Sequence, residues 1–454
     1  MAIESINPAT GDTLEQFEEM TTGQVDTILE QSHRAFADWR RRSFAERAGL
    51  MKGAARVLRE HKAQYGKTMA LEMGKPVTQG EAEVEKSAWV CDYYADNAER
   101  FLADQPRETD ASLSYVRFDP LGPVLAIMPW NFPYWQVFRF AAPALMAGNT
   151  GILKHASNVP RCALDIENVF RLAGFPDGVF CSVLVGNQAV AAIIGDDRIV
   201  AVTLTGSEQA GIKVAEQSGH HLKKTVLELG GSDPYIVLAD ADVTKAATTA
   251  ADARLINSGQ SCIAAKRFIV VEEVADRFIE IFAVAMQNRV MGDPLDRATN
   301  VGPQARVDLR DSLHRQVEAS IQKGARLELG GKPLAGKGAF YPPTLLTGVT
   351  PGMAAFDEET FGPVAAVIRA RNESDAIRLA NAVSLGLGSS LWTEDRARAR
   401  RLAQDIEAGS VFVNGLVKSD PRLPFGGIKR SGYGRELSEF GIHEFVNIKS
   451  VWIA

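Results

Sequence analysis

The sequence predicts an α/β protein, with a dinucleotide-domain layout followed by a second α/β unit. Three observations carry this. From Val124 onward, short apolar runs alternate with amphipathic segments, the pattern of parallel strands joined by right-handed helical crossovers. Ahead of Ser114, apolar residues instead recur at helical spacing among many charges. The chain closes on a strand-like apolar stretch, VNIKSVW.

Taken in order, residues 25–41, 45–61 and 81–101 read as amphipathic helices. SYVRFDPLG alternates polar and apolar residues like a half-exposed strand, then turns at Pro120 and Gly122. VLAIMP and TGILK are two strands, the second followed by a helix near 159–173. SVLVG (182–186) is a third strand and AVTLTG (201–206) a fourth, followed by a helix near 209–218. TVLELGG and DPYIVL begin a second cycle, with a helix near 243–256 and the strand KRFIVV (266–271). Further units run past 365–368 and 376–383 to SVFVNG (410–415). The terminal strand needs a partner, because an unpaired edge is an association hazard.

Composition narrows the function. The chain has 454 residues, which suggests about three domains or subdomains. It is 46% hydrophobic and 23% charged, enough to bury a large core. Lys plus Arg is 50 against 56 Asp plus Glu, a net charge of −6, so nucleic acid and anionic lipid are disfavoured partners. No uncharged apolar run approaches the ~18 residues of a membrane span, and MAIESINPATGD lacks a basic-then-apolar leader. Cys91, Cys162, Cys181 and Cys262 are widely spaced, with neither a CxxC pair nor zinc spacing. The expectation is a cytoplasmic protein with no metal site.

Several residues are candidates for chemistry, each with a plainer alternative. Cys262 lies among small residues in NSGQSCIAAKRF, between a helix and a strand; it reads as a reachable nucleophile or as a buried thiol. Glu228 in VLELGGSDP ends a strand; partial burial would raise its pKa and suit it to activate water, while a solvated strand-end acid is the alternative. Asn131 sits between prolines in MPWNFP, as a rigid amide donor for an oxyanion or as a simple turn residue. Lys154 ends a strand where ligand hydroxyls or phosphates can be reached. Ser157, just ahead of a helix with Pro160 in its first turn, reads first as an N-cap. Gly206 and Gly211 flank a strand-to-helix turn whose amides suit a pyrophosphate, and Glu359 in EETFGP suits a ribose.

Together, PWNFP, LKHAS, LTGS, LELGGSDP, GQSC, EETFGP and PFGGIKRSGYGRE stand in the order and spacing of the aldehyde dehydrogenase superfamily, which the whole chain resembles. Within it, IMPWNFPYWQVFRFAAPALMAGN and LKHASN resemble the bacterial succinate-semialdehyde dehydrogenase-like branch. The resemblance implies a Rossmann-type cofactor domain (1–107 and 121–229), an α/β catalytic domain (230–428), a connecting segment (429–436) and a small β-flap (108–120 and 437–454) that joins subunits into a homodimer or dimer of dimers. It implies Cys262 as nucleophile, Glu228 as general base and Asn131 as oxyanion amide. It places Trp130, Lys154, Ser157, Gly206, Ser207, Leu229, Glu359 and Phe361 at the cofactor.

The activity implied is oxidation of an aldehyde to an acid through a cysteine thioester. Many NAD-preferring members have a glutamate three residues after the strand lysine; here Ser157 stands there, so NADP is expected to be preferred, with some use of NAD. Arg139, eight residues after Asn131, matches an arginine that grips a substrate carboxylate, and Ser419 adds a hydroxyl. Some members carry a second arginine six residues before the nucleophile; Ile256 stands there. The expected substrate is succinate semialdehyde. The alternatives are another semialdehyde, a broad aldehyde range, CoA acylation, or a catalytically silent cofactor-binding or structural protein. Retention of Glu228 argues against CoA acylation, and retention of both Cys262 and Glu228 argues against a silent protein.

Overall fold

Helices begin the chain because its early segments supply both caps and apolar stripes. In the computed structural model, which describes residues 2–454, Thr21 and Gln24 form a capping box at helix Thr22–Trp39. Ser43 and Glu46 form another at Phe44–Glu60. Helices Lys62–Met73 and Val77–Phe101 follow. The first of these two was not expected from the pattern. It is set off at its C-terminus by Gly74, in the left-handed region at φ 77°, where a Cβ would meet Pro303 at 2.6 Å.

The first large sheet has six strands in the order Gly432–Tyr433, Lys224–Glu228, Ala201–Thr205, Pro123–Met128, Thr150–His155, Phe180–Ser182. All neighbours are parallel except the two-residue strand at the Lys224–Glu228 edge. Connections run outward in both directions from Pro123–Met128. The strand order therefore reverses between it and Ala201–Thr205, the place where a doubly wound sheet opens a ligand crevice at its carboxyl edge. Alternate residues feed opposite layers: Val124, Ala126 and Met128 join the helices on one face, Leu125 the cluster on the other.

Two strand expectations are corrected. The third strand is Phe180–Ser182, not 182–186: Val183 still donates to Leu153 O, but Leu184 O is taken by Met20 N and the chain leaves the ladder. TVLELGG does not begin a second cycle. Its strand, Lys224–Glu228, completes the first sheet beside Ala201–Thr205, and the second sheet begins only at Pro234.

The second sheet has seven strands, ordered Arg326–Leu329, Thr344–Thr347, Val364–Ala370, Arg267–Val271, Pro234–Val237, Gly388–Trp392, Ser410–Val413. Only its first strand is antiparallel. Its inner strands are largely apolar on both faces, as burial between helical layers requires, while the edge strand Arg326–Leu329 is charged and mostly exposed. The terminal strand Val446–Ile453 pairs antiparallel with Leu113–Pro120 along its full length, and Gln105–Pro106 adds a short third strand. Among the described residues no helix is long and apolar enough to cross a membrane.

Candidate active site

The turn Leu229–Gly230–Gly231 leaves the carboxyl edge of the six-stranded sheet and enters the amino edge of the seven-stranded one. Functional side chains therefore come from loops that follow strands in one sheet and precede strands in the other. Trp130 and Asn131 follow Pro123–Met128, and Gly206 and Ser207 follow Ala201–Thr205. Cys262 precedes Arg267–Val271, and Glu359 and Phe361 precede Val364–Ala370.

Cys262 is partly exposed on the wall of a cavity of about 500 Å³, while Cys91, Cys162 and Cys181 are buried. Its loop is held tightly. Asn257, Ser258 and Gly259 are three consecutive left-handed residues, at φ 52°, 56° and 76°. Two of them lack glycine's freedom, so the surroundings must hold the loop against strain. At Gly259 a Cβ would meet Gly362 O at 2.2 Å, so only glycine lets the two loops cross. The fully buried Lys266 ammonium donates to the carbonyls of Ser261, Cys262 and Ala264 at 2.9, 2.8 and 3.1 Å. Burial pushes the Cys262 thiol up to about 12 and outweighs the opposing pull of Lys266 and Arg139.

Asn131 is buried. Its Nδ2 donates to Gln260 O at 3.1 Å, and its Oδ1 accepts from Gln136 Nε2 at 3.3 Å. The amide thus lies against the nucleophile loop, with its donor engaged there. Asn257 Nδ2 fastens the same contact by donating to Asn131 O at 2.6 Å.

Glu228 is 2% exposed, and neither carboxylate oxygen has a hydrogen-bond partner. It is not a solvated strand-end acid. It packs under Gly426, where a Cβ would meet its Oε1 at 2.8 Å, and it is not among the residues lining the Cys262 cavity. Burial first, then neighbouring Glu436, push its carboxyl well above the usual range, against Arg139 and Arg435.

On the cofactor side, Trp130 and Phe361 meet edge to face at 5.7 Å. Ser207 caps helix Glu208–His220, accepting from Ala210 N at 3.3 Å, so the helix amino end opens beside Gly206 at the carboxyl edge of the sheet. Leu229 is buried against Gly211, where a Cβ would strike its Cδ2 at 2.6 Å. Lys154 Nζ donates to Asn187 Oδ1 at 2.9 Å, and burial holds its ammonium below the usual range. Ser157 is not an N-cap. Helix Pro160–Leu172 is entered from Val159 without a side-chain cap, and Ser157 is exposed on a second cavity of about 590 Å³ with Asn158, Asn187 and Glu19. Glu359 Oε1 accepts from Gly231 N at 3.0 Å and lies 3.6 Å from Lys266 Nζ.

Arg139 lines the Cys262 cavity but is not a free guanidinium. It is 3% exposed, in contact with the buried carboxylate of Glu436, and stacked 4.6 Å over Phe425. Ser419 lines the same cavity and accepts from Lys86 Nζ at 2.8 Å. Sequence reasoning missed Lys86, Lys266 and Glu436. Lys266 and Glu436 both fall inside recognised motifs; nothing local marks Lys86, whose partner lies 333 residues away. Among the described residues no group of three His, Cys, Asp or Glu is placed to hold a metal ion.

Comparison with known proteins gives the family and the fold. The model of the Aldehyde dehydrogenase family matches residues 1–451. A probable succinate-semialdehyde dehydrogenase [NADP(+)] from Synechocystis sp. is 51% identical over 454 residues, spanning all of both chains. Succinate-semialdehyde dehydrogenase [NADP(+)] 1 from Mycobacterium tuberculosis is 52% identical over 457 residues, again full length. The crystal structure of succinic semialdehyde dehydrogenase from Streptococcus pyogenes in complex with NADP+ superposes with a TM-score of 0.97 at 38% identity, covering both chains completely. An NAD-dependent aldehyde dehydrogenase from Sinorhizobium meliloti superposes equally well at 33% identity, covering all of this chain and 91% of the other. With a family match across nearly its whole length and relatives sharing half its residues, this chain belongs to the aldehyde dehydrogenase family.

Proposed function

We propose that this protein oxidises succinate semialdehyde to succinate with NADP, accepting NAD less well. The observation that carries the reading is one cavity whose walls bring together a cysteine in a tightly held loop, an arginine and a serine hydroxyl: Cys262, Arg139 and Ser419. The names of the full-length relatives support the substrate and the cofactor.

The residues fit a dinucleotide. The open helix amino end beside Gly206 suits its pyrophosphate. The Trp130–Phe361 pair suits an aromatic ring, and the Lys154 ammonium, placed at a strand end, suits its ribose. Ser157 offers a hydroxyl where a carboxylate would repel an added phosphate. When bound, the oxidised nicotinamide supplies the hydride acceptor and a positive charge.

The protein's own residues do the rest. The Cys262 thiol passes its proton to solvent water, and its sulfur bonds to the aldehyde carbon, moving the carbonyl electron pair onto oxygen. Asn131 Nδ2, by exchanging Gln260 O for that oxygen, stabilises the charge. After oxidation the substrate is held on Cys262 as a thioester. Glu228, moving out from beneath Gly426 and losing its own proton to solvent as it does so, takes a proton from water; the water oxygen bonds to the thioester carbon and the sulfur leaves as thiolate. The protein works as a homodimer or dimer of dimers, joined through its terminal strands.

The test follows NADPH formation at 340 nm with succinate semialdehyde and butanal, beside Cys262→Ala. Preference for the semialdehyde, abolished in the variant, is expected. Ser157→Glu moves kcat/KM toward NAD by about tenfold or more. No NADPH formation with either aldehyde overturns the reading, and a wild-type preference for NAD above tenfold overturns the cofactor assignment.

A further inference from the structure

The substrate reading needs a positive charge on the cavity wall, and the residue expected to supply it, Arg139, is already matched by Glu436. The other cations on the walls are also spoken for. Lys75 pairs with Glu83, and Arg289 holds Asp252 at 2.6 Å. Lys418, also on the wall, has no ion pair among the described residues but is exposed, so water already solvates its ammonium. Lys86 differs: it is half-buried on the cavity wall, and among the described residues no carboxylate lies within ion-pair distance of it. Two acids are near. Glu83, on the same helix, is taken by Lys75 and by the backbone N–H groups of Tyr134 and Trp135. Asp420 is taken by Arg422.

We propose that Lys86, resting on the substrate reading above, is the residue that receives the far carboxylate of the aldehyde and so sets the preference for an acid-bearing substrate. Its ammonium lies 4.2 Å over the Trp135 ring and donates one of three protons to Ser419 Oγ, leaving two. Ser419, accepting from Lys86, keeps its own O–H to donate. A carboxylate arriving there meets an ammonium and a hydroxyl already held together, the donor set that makes charge-assisted hydrogen bonds. Burial and Arg139 push the Lys86 ammonium down to about 8, so at neutral pH it is charged and gains from an anion. On the same cavity Ile256 occupies the position where some family members place a second arginine, so Lys86 supplies from helix Val77–Phe101 a cation that the nucleophile segment lacks.

The experiment compares full-length wild type, Lys86→Met, Lys86→Gln and Lys86→Arg with succinate semialdehyde and butanal at pH 7, with thermal unfolding as a check on folding. For the two neutral variants, KM for the semialdehyde should rise about 10- to 100-fold, the loss expected for one hydrogen bond to a charge. kcat/KM for the semialdehyde should fall at least tenfold more than for butanal, and Lys86→Arg should recover most of it. Succinate, as a product inhibitor, should weaken in parallel. If wild type strongly prefers the semialdehyde and the neutral variants keep that ratio, or lose both aldehydes equally, the role of Lys86 is overturned while the substrate reading stands. If wild type shows no preference for the semialdehyde over butanal, the substrate reading itself fails.

Discussion

Cys262 shows two opposing effects whose balance is decided by magnitude. The Lys266 and Arg139 charges favour the thiolate, but enclosure disfavours it more, and the thiol is pushed up to about 12. Without cofactor the sulfur is therefore protonated at neutral pH. Since the thiolate is the reactive form, iodoacetamide labelling of the free enzyme at Cys262 should accelerate about tenfold per pH unit from 7 to 10 with no plateau; mass spectrometry of the labelled peptide reads this, and a plateau near pH 8 would contradict it. Glu228 shifts the same way: buried without hydrogen-bond partners and beside Glu436, its carboxyl is held well above the usual carboxylate range. Both residues were singled out by the small-residue and strand-end contexts around them, but those contexts left the plainer readings open, and their roles came from the family resemblance. That Arg139 is engaged by Glu436 was not legible, because the two are far apart in sequence and meet only when helix Trp135–Ala147 packs under the C-terminal segment.

At the scale of elements, the cavity depends on how helix Trp135–Ala147 is held. It has no side-chain cap of its own. Glu83, from helix Val77–Phe101, accepts from Tyr134 N and Trp135 N at 2.9 and 3.0 Å, a borrowed cap for the helix carrying Trp135 and Arg139. Lys75 neutralises that carboxylate, and both side chains are almost fully buried. Lys75→Met should therefore strand a buried charge and lower the urea-unfolding stability by ~3–5 kcal/mol. Lys75→Met with Glu83→Gln should recover part of this, since the glutamine oxygen still accepts at the helix start; a single variant as stable as wild type would refute the account. Helices such as Thr22–Trp39, Phe44–Glu60 and Val243–Leu255 were legible from their periodicity, while Lys62–Met73, Glu272–Gln287 and Val307–Gln322 were not singled out. The borrowed cap and the left-handed run Asn257–Gly259 were not legible, because neither leaves a pattern with a fixed local spacing.

Over the whole molecule, the deciding feature is the seam between two sheets, one offering its carboxyl edge and the other its amino edge. A second feature is the terminal strand. Its pairing with Leu113–Pro120 satisfies one edge, yet Ile448, Trp452 and Ile453 remain about half or more exposed. An apolar strand with one uncovered edge is a template for association. Ile448→Lys combined with Trp452→Glu should lower the solution mass measured by light scattering to that of a smaller assembly, with the unfolding of each chain little changed. An assembly of unaltered mass would show that another surface joins the copies.

The sequence by itself determined the alternation of strands and helices, the apolar layers, and the chemical identity of Cys262, Glu228, Asn131 and Lys154, because periodicity and motif spacing are local properties of the chain. It misplaced TVLELGG in a second cycle, read Ser157 first as a helix cap, and did not show that Arg139 is paired or that Lys86 lies on the cavity wall. Those were decided by tertiary structure. Burial and charge pairing depend on residues hundreds of positions apart, and an ion pair such as Arg139–Glu436 or a contact such as Lys86–Ser419 comes into being only when the layers close.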